Sequence, residues 1–512
     1  MTQGILPFKY EQEKTDEGTT ALGGLPLYLD LAKVIGLTKS IQKHLTVKKG
    51  SQGWTDSQFV LSGILLNLAG GNCVDDLNIL NADHGFCRIL HSAENYKLPR
   101  KERREMERRW RKEKQRFVPS PSAMFRYLKV FHDVAQEQLR RVSSIKAFIP
   151  APNRHLKGFA HINKDMCEAM NEARPCKTAT LDQDATLVET GKQEASFCYK
   201  GFKAYQPFNT WWAEQNMILH TEFRDGNVPA GYEQLRVFKE ALACLPQGVE
   251  KVRLRSDTAG YQHDLLKYCD SVDNKRFGKI EFAVGCDVTQ SFKIAVAQVP
   301  SSEWKPIYKE KNGKKMKTGS EWAEVCFVPS RIGKSKEGLE YRYLAKRQVL
   351  EPALPGMEDK QMQLPFPAME MNDIRYKVFG VVSNIPEQEM YGEDLIHWLH
   401  KRCGKSEEVH AIMKKDLAGG TLPSGNFGEN AAWWWMMILA LNLNQMLKRL
   451  AFEPQMVSKR MKAIRFSIIN IPGRIVKRSR ELVLRLSKGH PCFNILVGAR
   501  ERIALLEGGP SG

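Results

Sequence analysis

The sequence predicts a mixed α/β protein in which a helical N-terminal region precedes a strand-bearing core and a basic region closes the chain. Three observations carry that reading. Apolar residues recur at helical spacing over 27–35, 59–68 and 125–134. Beyond residue 151 the texture turns to short β-branched and apolar runs with helical patches between them. From Met390 onward helical periodicity returns, over 394–400, 406–417 and 430–450. The 512 residues suffice for roughly two to four domains. A composition of 42% hydrophobic and 26% charged residues excludes a disordered polybasic chain, which would lack the apolar side chains to bury a core.

The N-terminal region, 1–150, contains a charged run at 101–116 (KERREMERRWRKEKQR) with nine Lys or Arg against four Glu. Such a run reads either as a solvated helix face laced with i,i+4 pairs or as a stretch that contacts phosphate. Directly after it, 118–131 (VPSPSAMFRYLKVF) offers Ser120 or Ser122 as the cap of a helix. That helix would turn Arg126 and Lys129 outward and Phe125, Leu128 and Phe131 inward. A short helix entered through a tight Pro/Ser turn is the layout of a helix-turn-helix recognition element, so Arg126 and Lys129 are the DNA-contacting residues expected of this region.

Residues 151–154 (APNR) form a linker. Strand-like runs follow at 178–184, 216–222, 251–256, 279–284 and 292–299, with helical patches at 232–245 and 261–269. This alternation describes an α/β core over 151–300 whose strands present side chains at their ends. Residues 301–388 are rich in strand formers, Gly, Pro and Lys and read as a β-strand insertion, with 309–317 (KEKNGKKMK) as an exposed hairpin tip. A second helical part of the core, 389–450, leads to the basic segment 451–512. The WWW at 433–435 reads as part of a buried core helix.

With 77 Lys and Arg against 58 Asp and Glu, the net charge of +19 points to a polyanionic partner, nucleic acid or an anionic membrane surface. The longest apolar run, AAWWWMMILAL at 431–441, is far below the roughly 20 residues of a spanning helix, and no membrane partner is expected. The first residues show no signal-peptide pattern. Eleven cysteines without a Cys-x-x-Cys pair match neither a disulfide framework nor a structural zinc site, and twelve histidines show no ligand spacing. A reduced, cytosolic protein is the expectation.

The most informative residues are acids. In 180–186 (TLDQDAT) two carboxylates, Asp182 and Asp184, stand two apart on a strand, point to the same face and repel one another, which calls for a cation. A second strand, 252–257 (VRLRSD), delivers Asp257 to its carboxyl end just before a helical turn. Open α/β sheets place ligands at that edge. Asp257 could equally cap the turn that follows. Carboxylates without a Cys or His cluster are hard oxygen ligands, suited to Mg²⁺ or Mn²⁺. Farther on, Glu407 and Lys414 are seven positions apart, on one face of an α-helix two turns apart; Glu408 and Lys415 share that spacing, so the register stays open.

In their order along the chain, these motifs resemble those of DDE transposases of bacterial insertion sequences, in particular the IS thirteen-eighty group. The matching stretches are 181–186 (LDQDAT), 199–207 (YKGFKAYQP), 224–227 (RDGN), 254–261 (LRSDTAGY), the helix bearing Glu407 and Lys414, and 471–477 (IPGRIVK). The resemblance implies a ribonuclease-H-like catalytic core with a β-strand insertion, a helical N-terminal DNA-binding domain and a basic C-terminal tail. It implies Asp184 on the first strand, Asp257 on the fourth and Glu407 on a later helix as catalytic metal ligands, with Asp182 as the alternative first acid and Lys414 on a phosphate. His400 and Cys403 stand where the family pattern has Tyr and Arg, which keeps open a DNA-binding protein with an inactive core. The implied reaction is metal-dependent cleavage and strand transfer on terminal inverted repeats and target DNA, with Mg²⁺ or Mn²⁺ and a homodimer on DNA. Trp304 and Trp322 in the insertion read first as packed aromatics, with stacking on an unpaired base as the alternative.

Overall fold

A computed structural model describes residues 18–50, 52–109, 116–143, 146–272, 274–311, 313–329, 341–350, 367–371, 374–479 and 481–507. The first nine residues, positions 110–115 of the charged run and position 312 of the Lys-rich tip lie outside them. In chain order, the helices that position the site are Asp56–Ala69 (α1), Pro121–Leu128 (α2), Arg154–Ala173 (α3), Gln234–Cys244 (α4), His263–Asp270 (α5), Gln290–Ala297 (α6), Gly392–His400 (α7), Lys405–Ala411 (α8), Phe427–Leu450 (α9) and Phe493–Glu507 (α10). The strands are Thr178–Ala185 (β1), Phe208–Trp212 (β2), Met217–Glu222 (β3), Lys251–Ser256 (β4), Glu281–Cys286 (β5), Lys305–Lys311 (β6), Lys314–Glu324 (β7), Arg342–Val349 (β8), Ala368–Met371 (β9), Ile374–Ser383 (β10), Gly473–Arg478 (β11) and Glu481–Arg485 (β12).

The N-terminal region is helical, as its periodicity predicts. Helix α1 starts in a reciprocal cap, with the Gln58 amide donating to Thr55 Oγ1 and the Thr55 amide to Gln58 Oε1, and stops at Gly70, whose φ of +105° suits only glycine. It is buried nearly all round, polar Ser57, Gln58, Ser62 and Asn67 included, and packs on α9, itself buried from Phe427 to Lys448. In α2 Ser120 is the cap and accepts from the Ala123 amide, while Arg126 and Lys129 are exposed as expected. The inward face is Met124, Tyr127, Leu128 and Phe131; Phe125 is only half-buried, so the apolar stripe is turned slightly from the expected one.

Ten strands form one mixed sheet in the order β3-β2-β1-β4-β5-β10-β8-β7-β6, with β9 paired to β10. The first five make a recognisable unit. Strands β1, β2 and β3 are antiparallel neighbours, and β4 and β5 join β1 in parallel through the crossover helices α4 and α5. The first strand carries Asp184 and the fourth ends just before Asp257. Buried Asn163 and Asn442 hold α3 and α9 to β3, since Asn442 Nδ2 donates to Asn163 Oδ1 at 2.7 Å and both side chains bond the Ile218 carbonyl. The three tryptophans of α9 are core: Trp433 and Trp434 are fully buried and donate to the Ala418 carbonyl and Thr221 Oγ1.

One expectation is revised. Residues 292–299, read as a strand, lie mostly in helix α6: Thr289 caps it, and Phe292 and Val296, four apart, are its buried face while Ile294 between them is exposed. The strands of 301–388 extend the core sheet itself, because β10 pairs antiparallel with β5 and leads outward to β8, β7 and β6. The basic C-terminal segment is folded over its described residues. Strand β11 pairs with β12 and with Thr19–Thr20, α10 packs on the helix Pro26–Val34, and Arg460 and Arg465 are bound to Asp416 through its carboxylate and its carbonyl. No single helix among the described residues is long and apolar enough to cross a membrane.

The packing of α7 on the sheet yields a direct test. A Cβ at Gly392 would fall inside the van der Waals envelope of the Trp322 six-membered ring. Gly392→Ala is expected to destabilise the protein by about 1–3 kcal/mol, read from thermal unfolding together with the Trp emission spectrum.

Candidate active site

The parallel register of β1 and β4 sets Asp182 level with Arg255 and Gln183 level with Ser256. Asp184 is the next residue of β1 and Asp257 directly follows β4, and the Asp257 charge acts on Asp184. Asp182 and Asp184 share a face, yet their surroundings differ. Asp182 is 2% exposed and takes two hydrogen bonds from the Arg255 guanidinium, at 2.6 and 2.8 Å. Arg255 also donates to the Trp398 carbonyl of α7 and lies against the Trp398 ring. Asp182 is thus committed to a buried bidentate ion pair.

Asp184 is 24% exposed and meets Arg402 Nη1 at 3.1 Å. Burial pushes its carboxyl up to about 6, with the Arg402 charge opposing and the Asp257 charge adding to the shift. Asp257 is half-buried; its Oδ1 accepts from the Ala259 amide at 3.0 Å. The capping reading of Asp257 is therefore realised by one oxygen, and Oδ2 makes no hydrogen bond among the described residues. Two neighbouring carboxylates in a partly dehydrated edge, with no thiol or imidazole ligand between them, suit a hard divalent cation.

The third acid is placed differently. Glu407 lies in the first turn of α8, exposed and without an ion pair among the described residues, five residues beyond Arg402. Glu408 turns instead to Lys405, at 3.5 Å, and acts electrostatically on Lys448 of α9. Among the described residues, no group of three or more His, Cys, Asp and Glu side chains converges closely enough to enclose a metal ion. The geometry brings Asp184 and Asp257 together and leaves Glu407 on the adjacent helix.

Lys414 departs from the simple two-turn spacing because α8 widens into a π turn over Ile412–Asp416. Its Nζ donates to the Leu187 carbonyl, three residues past Asp184, at 3.0 Å. Burial, then the charges of Lys415 and Lys200, hold it below the ordinary lysine range. Arg126 on α2 and Lys129 just after it belong to the helical region and are not among the described residues that contact these acids. The stacking alternative for Trp304 and Trp322 is corrected by their burial, at 7% and 1% exposure. Trp304 is covered by the Arg347 guanidinium and Trp322 by Tyr391 and α7, so neither ring offers a free face.

Two arginines that pair with these acids escaped sequence reasoning. Arg402 supplies a guanidinium one residue before Cys403, which is itself exposed. The signal was an Arg displaced by one from the family position. Arg255 was legible only as a strand residue until the register set it beside Asp182. Flanking Arg402, burial and nearby cations push His400 and His410 down to about 4, so both imidazoles stay neutral near pH 7.

The raised carboxyl of Asp184 predicts a pH dependence. Stability linked to its neutral form is complete below its ordinary value of 3.8 and is lost as pH rises through about 6, where the folded group ionises. A bound divalent ion reverses that loss by favouring the carboxylate. Saturating Mg²⁺ is therefore expected to raise the melting temperature more at about pH 7.5 than at about pH 5. Equal shifts at both would show that Asp184 does not hold the ion.

Comparison with known proteins adds three findings. The family described as transposase DDE domain group 1 matches residues 13–508. No curated protein matches the chain by sequence. Among solved structures, the fold is similar to the cryo-EM structure of a piggyBac transposase synaptic complex with hairpin DNA, at a TM-score of 0.41 and 11% identity over 89% of this chain and 83% of that one.

Proposed function

The chain belongs to the transposase DDE domain family, group 1, and from that premise we propose that it cuts and joins DNA at the terminal inverted repeats of an insertion sequence. The IS thirteen-eighty group is the subgroup its motifs favour. The observation that carries the reading is that Asp184, near the end of β1, feels the charge of Asp257, which directly follows the parallel neighbour β4.

Asp184, Asp257 and Glu407 would hold Mg²⁺ or Mn²⁺. When bound, such ions stabilise the attacking and leaving oxygens of an in-line phosphoryl displacement. Arg402 balances the Asp184 charge when no other cation does and keeps its side chain oriented at the strand end. Lys414 and the exposed Lys415 extend positive charge from that edge toward a phosphate. The helical region 1–150, with Arg126 and Lys129 exposed, and the basic segment 451–512 would hold the duplex backbone, which makes binding steeply salt-dependent. A homodimer that pairs two DNA ends in the bacterial nucleoid completes the reading.

The test is a cleavage assay on DNA bearing the ends that flank the chain's own gene. Cleavage at those ends and strand-transfer products are expected with Mg²⁺ or Mn²⁺ and not with a chelator. The exposed, ungathered Glu407 favours one rival, a DNA-binding protein with an inactive core. Specific binding of the ends with no cleavage in either metal would establish that rival.

A further inference from the structure

Past Asp184, the β1–β2 pair continues beyond the sheet as a hairpin. The Thr186 amide donates to the Pro207 carbonyl, Val188–Glu189 pairs with Ala204–Tyr205, and Phe197 bridges to Lys203. The tip is a three-residue turn: the Gly201 amide donates to the Cys198 carbonyl, the Cys198 amide to the Phe202 carbonyl, and Gly201 has a φ of +83°. Its base is pinned, because Ser196 bonds Asp225 through both its amide and its hydroxyl, and Asp225 is ion-paired with buried Arg140.

On this fixed tip two aromatic rings face solvent, Phe197 at 62% and Tyr199 at 78% exposure. Each has a lysine ammonium over its ring, Lys203 at 5.8 Å from Phe197 and Lys200 at 5.7 Å from Tyr199. Residues 195–206 contain no acid. Lys414 lies between this tip and the acids: it bonds the Leu187 carbonyl and senses the Lys200 charge. Exposed rings set among lysines, with no carboxylate, are the composition that binds an unpaired nucleotide by stacking and backbone charge. A protein partner is disfavoured, since a three-residue turn supplies far less than the roughly 800 Å² per side of a stable interface.

We propose that the Phe197–Lys203 tip is a stacking platform for an unpaired base at the DNA end beside Asp184 and Asp257. The assignment rests on the transposase reading. It gives Phe197 and Tyr199 the role that buried Trp304 and Trp322 cannot fill.

The test compares the full-length protein's affinity for a blunt duplex from the element's end and for the same duplex with a short unpaired thymidine tail. Wild type is expected to prefer the tailed DNA by about five- to thirty-fold. The Phe197→Ala/Tyr199→Ala double variant should lose that preference and keep blunt-duplex affinity within about two-fold, and Tyr199→Trp should retain it. Thermal melting confirms that the surface variants fold. The proposal is overturned if the double variant keeps the preference, if blunt and tailed affinities fall together, or if the variants change only the oligomeric state. The transposase reading fails separately: a tail preference that follows Tyr199 in a wild-type protein that cuts no end in either metal would leave the platform standing without the catalytic assignment.

Discussion

Asp184→Asn is expected to lower metal-dependent cleavage of the element's ends by about 10³-fold or more, equivalent to about 4 kcal/mol of transition-state stabilisation, while the protein still folds and binds those ends. The reason is local. Burial and the charge of Asp257 already raise the cost of the Asp184 charge. An amide keeps the shape and removes the negative oxygen, so the cation loses a ligand while Arg402 keeps a hydrogen-bond acceptor. Burst-corrected cleavage rates in Mg²⁺ and Mn²⁺, with binding measured on the same DNA, separate chemistry from recognition. Wild-type cleavage by the variant would remove Asp184 from the site.

Arg255→Ala is expected to fail by a different route, destabilising the fold by about 3–5 kcal/mol. Arg255 and Asp182 are 5% and 2% exposed, and Arg255 also bridges β4 to α7 through the Trp398 carbonyl. Removing the guanidinium leaves Asp182 buried without its counter-charge, and an unpaired buried carboxylate costs far more than the pair contributes. Urea unfolding checks this. An Asp182→Leu/Arg255→Met double variant should recover much of the loss, because it removes both charges together. A single variant with wild-type stability would contradict the buried-pair assignment. These two outcomes separate acids only two residues apart, one for chemistry and one for the fold.

Much of the fold was legible in local pattern. Helical periodicity, the Ser120 cap and the strands at 178–184 and 251–256 appear where residue spacing places them, since burial of an amphipathic face follows directly from it. Phe292 and Val296 misled because an apolar run of this length suits a strand or a helix equally, and Thr289 as a cap decides the matter. Trp304 and Trp322 stayed open because an aromatic ring in a strand carries no record of which neighbours cover it. Cys403 pointed to a missing guanidinium, whereas the chain turns Arg402 to Asp184 instead.

The sequence by itself determined the acids, their order, the excess of cations and the alternation of elements, because residue type and periodicity are local properties. Only the tertiary structure decided which acid is locked in a buried pair and which stays partly exposed. Cross-strand register gives Asp182 to Arg255 and leaves Asp184 beside Asp257, and the direction of one turn brings Arg402 rather than Cys403 to the edge. The physical reason is that a carboxylate's role depends on its desolvation and its nearest charges, and those are supplied by residues far away in the chain.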